Sequence, residues 1–434
     1  MMILLNALGV LTTLLVSSIA QSSDLPTISA VGSKFFFENG TQYYVKGIAY
    51  QLTQDDPLIS EDQCKLDAKE MADLGANTIR VYHVDPTANH DACMSAFAAV
   101  GIYLFVDLDT FDTQIDQDTP YWNQTQLSAF TAVFDAFHSY SNLAGVIVAN
   151  EALTRLNGSL AAPFVKSAIR DVKAYRTQKG YRDIPVGYSG ADIPELRPML
   201  QNYLACTTGD VADSADFFSL NVYEWCGQSS FKTSGYVDLV KNATGLQIPI
   251  FISETGCHVP QPRLFDDQDS IFGTDMDGSW SGAIVYEWIQ EANDYGLITY
   301  GPKVDPEEHP EALDGYPRSG TPTPKSPDYS NLKKHWATLH PTGVKLGDYE
   351  GSAKGLKPIA CPVTTMGGWE VNPSAVLPSL GQTIDKAATS TGGVVQGSAS
   401  ASATKKGGVG RLSVEVGMGW YVVLGLLGVI FGMF

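Results

Sequence analysis

Positive charge is scarce in this sequence. Its 434 residues hold 28 Lys and Arg against 47 Asp and Glu, a formal net charge of −19. A chain so acidic excludes nucleic acid and anionic lipid as partners gripped by charge, and leaves neutral polymers open. Metal-ligand spacings are also missing. There is no Cys-x-x-Cys and no His-Glu-x-x-His, so no metal is expected. No Gly-x-Gly-x-x-Gly follows an apolar run, which removes the phosphate-cradling turn of a doubly wound dinucleotide fold. No cofactor is expected.

Long apolar runs occur only at the two ends. Residues 3–20 have the composition of a signal-peptide core and end in small residues, so a signal peptide over 1–20 with cleavage after Ala20 is expected, although no Lys or Arg precedes it. The last fifteen residues, from Trp420 to Phe434, form an uncharged apolar tail, shorter than the ~20 residues of a spanning helix and with no basic stop after it. Upstream lie a short spacer at 407–417 and small residues at 397–403. Small site, spacer and terminal apolar tail make the GPI-attachment pattern, in which the tail is exchanged for a lipid; a membrane-spanning tail anchor is the competing reading. The organisation expected is a signal peptide at 1–20, a catalytic domain with its extension at 21–361, a Ser/Ala/Gly-rich stalk and attachment region at 362–406, and a removed signal at 407–434. The stalk composition is plainest from Leu377, and disorder is expected there.

Secretion gives meaning to the cysteines and to the glycosylation sequons. The six cysteines, Cys64, Cys93, Cys206, Cys226, Cys257 and Cys361, are an even number in an oxidising compartment, and six allow fifteen pairings. Asn39, Asn123, Asn157 and Asn242 head Asn-x-Ser/Thr sequons and mark surface positions.

Between these ends, short β-rich runs alternate with helical segments. The runs lie at 43–50, 78–82, 103–108, 145–151, 185–189, 217–223, 248–253 and 282–287. The clearest helix starts at Ser60, with Gln63 three residues on in a capping-box arrangement, and stops at Gly75; others cover 92–100, 125–138, 163–179 and 234–242. Eight strands alternating with helices over about 250 residues specify a single α/β domain, a (β/α)8 TIM barrel. After Pro302 the periodicity fades into an irregular extension, with a proline-rich loop at 315–330 and a weak helical segment at 331–339.

A (β/α)8 barrel takes its functional groups from the C-terminal ends of its strands. Here those ends carry acids and tyrosines: Asp107 and Asp109, Glu151, Tyr223 and Glu224, Glu254, Tyr286 and Glu287. No serine elbow or histidine stands among them, which disfavours a Ser-His-Asp hydrolase. Two carboxylates facing each other across a sugar cleave a glycosidic bond, one as general acid and one as nucleophile, and tyrosines would stack on sugar rings. Strand geometry nominates several acids without choosing the pair.

Six stretches carry a closer resemblance. They are Lys46-Gly47-Ile48-Ala49-Tyr50-Gln51; Asn77 to Tyr82 with Asp85-Pro86 and His90-Asp91-x-Cys93; Gly145-Val146 to Asn150-Glu151; Asn221-Val222-Tyr223-Glu224-Trp225-Cys226-Gly227; Ser253-Glu254-Thr255-Gly256-Cys257; and Ser281-Gly282 to Tyr286. In order and spacing, from about Phe35 to Cys361, the chain resembles the fungal GPI-anchored β-1,3-glucanosyltransferases of glycoside hydrolase family 72. The resemblance implies Glu151 as acid/base, Glu254 as nucleophile, and Asn150 on the donor sugar's 2-hydroxyl. It also implies sugar contacts from Tyr223, Tyr286 and Gln51; Tyr82 and Asp109 are candidates by position alone. It further implies a retaining enzyme at the outer face of the plasma membrane or in the cell wall, with β-1,3-glucan chains as donor and acceptor and a GPI lipid as anchor.

With no cysteine after Cys361, the chain resembles the subgroup lacking a Cys-rich carbohydrate-binding module. Cys226 lies three residues past Tyr223 and Cys257 three past Glu254, in adjacent loops, which makes a bridge between them reasonable. Cys64 and Cys93 flank the second strand, leaving Cys206 for Cys361; the family is similar in this pairing. Two other functions compete: an endo-β-1,3-glucanase, differing only in whether water attacks the intermediate, and a non-catalytic glucan-binding wall protein. The sequence says nothing of oligomeric state.

Overall fold

In a computed structural model, residues 25–51, 56–207, 210–353 and 359–383 are described. The expected signal peptide at 1–20, the small residues at 397–403 and the expected attachment signal at 407–434 lie outside them. No described helix is long and apolar enough to cross a membrane.

Three short antiparallel strands come first, β1 (Ile28–Val31), β2 (Lys34–Phe37) and β3 (Gln42–Tyr43). Eight parallel strands then close into a barrel: β4 (Val45–Ala49), β5 (Thr78–Val81), β6 (Tyr103–Asp107), β7 (Leu143–Asn150), β8 (Val186–Ala191), β9 (Phe217–Asn221), β10 (Ile250–Thr255) and β11 (Gly282–Val285). The ring shuts where Gly282 of β11 stands opposite Val45 of β4. The barrel expected from the eight β-rich runs is the one that forms. Its first run divides, because Tyr43 pairs back onto Phe35 while the barrel strand starts at Val45.

The surrounding helices are α1 (Glu61–Leu74), α2 (Asp91–Ala99), α3 (Gln124–Phe137), α4 (Ala162–Lys179), α5 (Arg197–Ala205), α6 (Tyr236–Ala243) and the short α7 (Asp267–Ile271). Pro198 obscures α5 in the sequence, yet proline is tolerated in a helix's first turn, where its missing N–H has no partner to lose. The capping box expected at Ser60 is only half made. Ser60 Oγ accepts from Gln63 N, but the Gln63 side chain exchanges hydrogen bonds with the Gly320 backbone, at 2.7 and 3.0 Å, and donates to Asp67. The complete box is on α3, between Asn123 and Gln126. Asn39 and Asn157 are exposed, while Asn123 and Asn242 are partly so.

Side chains alternate across a strand, so residues two apart on each strand face the barrel axis. Near the strand starts this interior is aromatic. Phe35 of β2 is fully buried with its ring centroid 6.0 Å from Phe105, 5.9 Å from Phe217 and 6.1 Å from Phe251, so the leading sheet plugs this end. Gly145 and Gly187 make room: a Cβ there would stand 2.8 and 2.5 Å from the Phe105 and Phe217 rings. Continuing by twos, Phe105 leads to Asp107, Phe217 to Ser219 and Asn221, and Phe251 to Ser253. The apolar layer thus gives way to a polar one toward the strand ends.

The extension holds β12 (Ile298–Thr299), β13 (Thr323–Pro324), α8 (Asp328–Trp336) and α9 (Leu346–Ala353). The proline-rich loop docks on α1 through Gln63 and Gly320. The disulfides are Cys64–Cys93, Cys206–Cys361 and Cys226–Cys257. Beyond Cys361 the chain keeps contact with the barrel. Trp369 is buried, Ser167 Oγ and Arg170 Nη2 donate to the Pro378 carbonyl, and Gly381 N donates to the Trp122 carbonyl. The stalk expected from 362 therefore does not start there: Trp369, Val371 and Leu377 bury enough apolar surface to order residues 361–383.

Candidate active site

Two carboxylates from different strands hang on one buried network. On β9, Asn221 donates from Nδ2 to Glu151 Oε1 at 2.9 Å and to Asn150 Oδ1 at 3.1 Å. Its Oδ1 accepts from Ser189 Oγ, Ser253 Oγ and Arg80 Nη1 at 3.1, 2.8 and 3.4 Å. Arg80 is fully buried on β5. Its guanidinium grips both oxygens of Asp107 at 3.1 and 2.7 Å, donates to Asn150 Oδ1 at 2.9 Å, and reaches Glu254 Oε1 at 3.4 Å. A buried cation survives only if paired, and the bidentate Asp107 contact supplies that pairing.

Glu254 lies near the end of β10, with 9% of its surface exposed. Tyr82 donates to its Oε1 and Tyr223 to its Oε2, each at 2.9 Å. Burial pushes its carboxyl up to about 7, with the Glu151 charge adding to the rise; Arg80 and the two tyrosines oppose it. Burial and the neighbouring Glu254 hold both phenols well above their ordinary range, so both remain donors. Glu151, just past β7, has φ = 48°, a left-handed conformation costly for a side chain with a Cβ and found most often at functional sites. Its N–H still bonds to the Ser189 carbonyl at 2.8 Å, which holds the turn.

The other expected residues divide into two sets. Tyr82 is in direct contact with Glu254. Gln51 accepts from the Tyr82 and His83 amides at 3.1 and 3.3 Å, so it braces that segment. Asp109 is buried and accepts from the Asn150 amide at 3.4 Å, supporting the strand end. Tyr286 and Tyr223 both pack edge-on against Tyr295, with centroids 5.4 and 5.8 Å away. Two strand-end acids stand outside the network: Glu287 accepts from Asn293, and Glu224 lies 3.9 Å from Arg197.

Sequence reasoning missed Arg80, Asn221 and Tyr295 as site residues and named Asp107 only as a strand-end acid. Arg80 had a signal, an ionised residue at an inward position of an apolar strand. Tyr295 had none, because it belongs to an irregular loop.

A closed (β/α)8 barrel with two carboxylates on one network at its strand ends, one of them held by two tyrosines, is the arrangement of a TIM-barrel glycoside hydrolase. Within that class, this chain belongs to glycoside hydrolase family 72, the glucanosyltransferases, whose family model matches residues 17–311. It is 41% identical over 361 residues to protein Epd1 of Candida maltosa, covering 81% of this chain and 62% of that one. It is 39% identical over 378 residues to the 1,3-beta-glucanosyltransferase gas2 of Schizosaccharomyces pombe, covering 84% of this chain and 78% of the other. A solved structure of a Saccharomyces cerevisiae Gas2p mutant in complex with laminaritetraose and laminaripentaose matches with a TM-score of 0.71 at 37% identity, over 81% of this chain and 75% of that one. The chain thus spans about three-fifths of the Candida relative's length.

Proposed function

We propose that this protein is a retaining β-1,3-glucanosyltransferase, which cleaves an internal β-1,3-glucan linkage and passes the new reducing end to the non-reducing end of a second chain. The observation that carries this reading is the pairing of Glu254, bound by Tyr82 and Tyr223, with Glu151, bound by Asn221, on one buried network. Glu254 attacks the anomeric carbon while Glu151 gives its proton to the departing glucan oxygen, which leaves a covalent glycosyl ester on Glu254. Glu151, now a carboxylate, takes the proton from a hydroxyl of the acceptor glucan, and that oxygen attacks the same carbon and frees Glu254. Two inversions give net retention.

Asn150 Oδ1 is occupied by Arg80 and Asn221, so its Nδ2 is the group left to meet the donor 2-hydroxyl. Tyr286 and Tyr223, steadied by Tyr295, line the sugar path; Gln51 and Asp109 act through the segments they hold. The secretion and GPI-attachment patterns support a lipid-anchored enzyme on the outer face of the plasma membrane, acting on wall glucan.

The test is incubation of the secreted domain with a reduced laminari-oligosaccharide. Products longer than the starting chain are expected; only shorter ones would make it an endo-β-1,3-glucanase. Glu254→Gln abolishes cleavage and transfer together while the fold persists. Residual activity in that variant would remove Glu254 from the mechanism, and an inactive wild-type chain that binds glucan would make it a wall-binding protein.

A further inference from the structure

Phe111 is the one exposed aromatic side chain among the described residues, with 64% of its surface in solvent. A phenyl ring left in water forgoes about 1.5–3 kcal/mol of burial, so its setting is informative. It lies in the loop between β6 and α3, two residues past Asp109, which holds the Asn150 amide. Its ring packs on His83 at 4.9 Å between centroids, and the amides of His83 and Tyr82 both donate to Gln51. Phe111 is therefore continuous with the catalytic cleft, at its rim.

The loop is fixed rather than loose. Ile115, four residues on, is buried in the core. Thr110 N donates to Thr113 Oγ1 at 2.9 Å, and Gln126 Nε2 donates to the Thr113 and Gln114 carbonyls at 3.1 and 3.2 Å. Gln117 Nε2 donates to Thr154 Oγ1 at 2.6 Å, tying the loop to the one that follows Glu151. A rigid ring loses little conformational freedom when something lands on it.

We infer that Phe111, backed by His83, is a stacking subsite for a glucose unit of the bound β-1,3-glucan, beyond the unit held at Asn150. The surroundings suit a sugar better than a protein. Asp112, the next residue in the chain after Phe111, is exposed as well, so the apolar face has an acceptor for hydroxyls beside it. A protein partner would need a contiguous apolar patch of several hundred Å², which one ring does not supply. The inference rests on the glucan-transfer reading above.

The experiment measures kcat/KM against laminari-oligosaccharides of increasing length for the wild type, Phe111→Ala, Phe111→Leu and Phe111→Trp. In the wild type, kcat/KM rises with length until a sugar reaches the rim. In the Ala and Leu variants the ratio of long-chain to short-chain kcat/KM drops about tenfold, and Trp restores it. Leu keeps the bulk without the aromatic face, and thermal melting of all four proteins separates a folding defect from a lost contact. Length profiles parallel to wild type in folded Ala and Leu variants overturn the inference and leave the transfer reading standing. Absence of wild-type activity on every oligosaccharide overturns the transfer reading itself.

Discussion

Arg80 Nη1 lies 3.4 Å from Glu254 Oε1, while the far edge of the same guanidinium is clamped by Asp107. The cation is thus shared between a permanent partner and the carboxylate proposed to attack the sugar. In the proposed reaction Glu254 loses its charge as it forms the glycosyl ester, and Arg80 remains neutralised by Asp107. The site therefore tolerates the loss of one negative charge midway through the reaction.

Arg80→Lys keeps the charge but not the fork that reaches Asp107, Asn150, Asn221 and Glu254 together. The expected result is a fall in kcat of about 10²–10³-fold with a smaller change in KM, since the loss is of positioning and charge stabilisation. Steady-state kinetics on a laminari-oligosaccharide read this directly, and near wild-type kcat would show that Arg80 only holds the barrel together.

Tyr82→Phe and Tyr223→Phe each remove one donor to Glu254. These bonds favour the ionised carboxylate, so losing either raises its pKa further above the ordinary range. A nucleophile must be ionised, so activity falls as pH drops through that titration. The acid limb of the kcat/KM profile should therefore move to higher pH in both variants. An unmoved limb with lowered kcat/KM would mean the tyrosines touch only sugar.

Glu254 also links pH to stability. Its carboxyl is raised from 4.5 to about 7 in the folded state. Between those values the native protein keeps a proton that the unfolded chain has released, so stability from this group is greatest below about 4.5 and declines as pH rises to about 7. Glu254→Gln, which cannot ionise, should melt higher than wild type at pH 8 by the equivalent of about 1–3 kcal/mol, with a smaller gain at pH 5. Equal gains at both pH values would show that the carboxylate is not destabilised by its site.

The extension reaches the cleft through a buried ion pair. Arg263 donates to Asp328 of α8 at 2.8 Å and to the Tyr286 carbonyl at 3.0 Å. Asp328→Asn leaves Arg263 buried with its charge uncompensated, at a cost of about 3–5 kcal/mol. Replacing the pair together as Arg263→Met and Asp328→Leu should recover most of the melting temperature. It should not restore KM for glucan, because Tyr286 still lacks its support. Recovery of both would reduce the pair to a packing element.

Repeating patterns of side chains were legible, and single side-chain partnerships were not. The barrel strands show in the sequence because each needs an apolar run to be covered on both sides. Glu151 and Glu254 show because a strand end is where such a run stops. Helix α5 escaped because Pro198 in its first turn resembles a break. The order of residues 361–383 escaped because three buried apolar residues are spread thinly through polar composition.

The amino-acid sequence by itself determined the barrel, the strand ends and the family, since these rest on periodicity and on motifs local to one stretch of chain. Only the tertiary structure decided that Arg80, Asp107, Asn150, Asn221 and Glu254 share one network, and that Tyr82 touches Glu254 while Asp109 supports Asn150. Those residues come from five different strands and the turns beyond them, and the distances between them depend on how the barrel closes. Closure sets the register between strands, and no stretch of sequence carries that register alone.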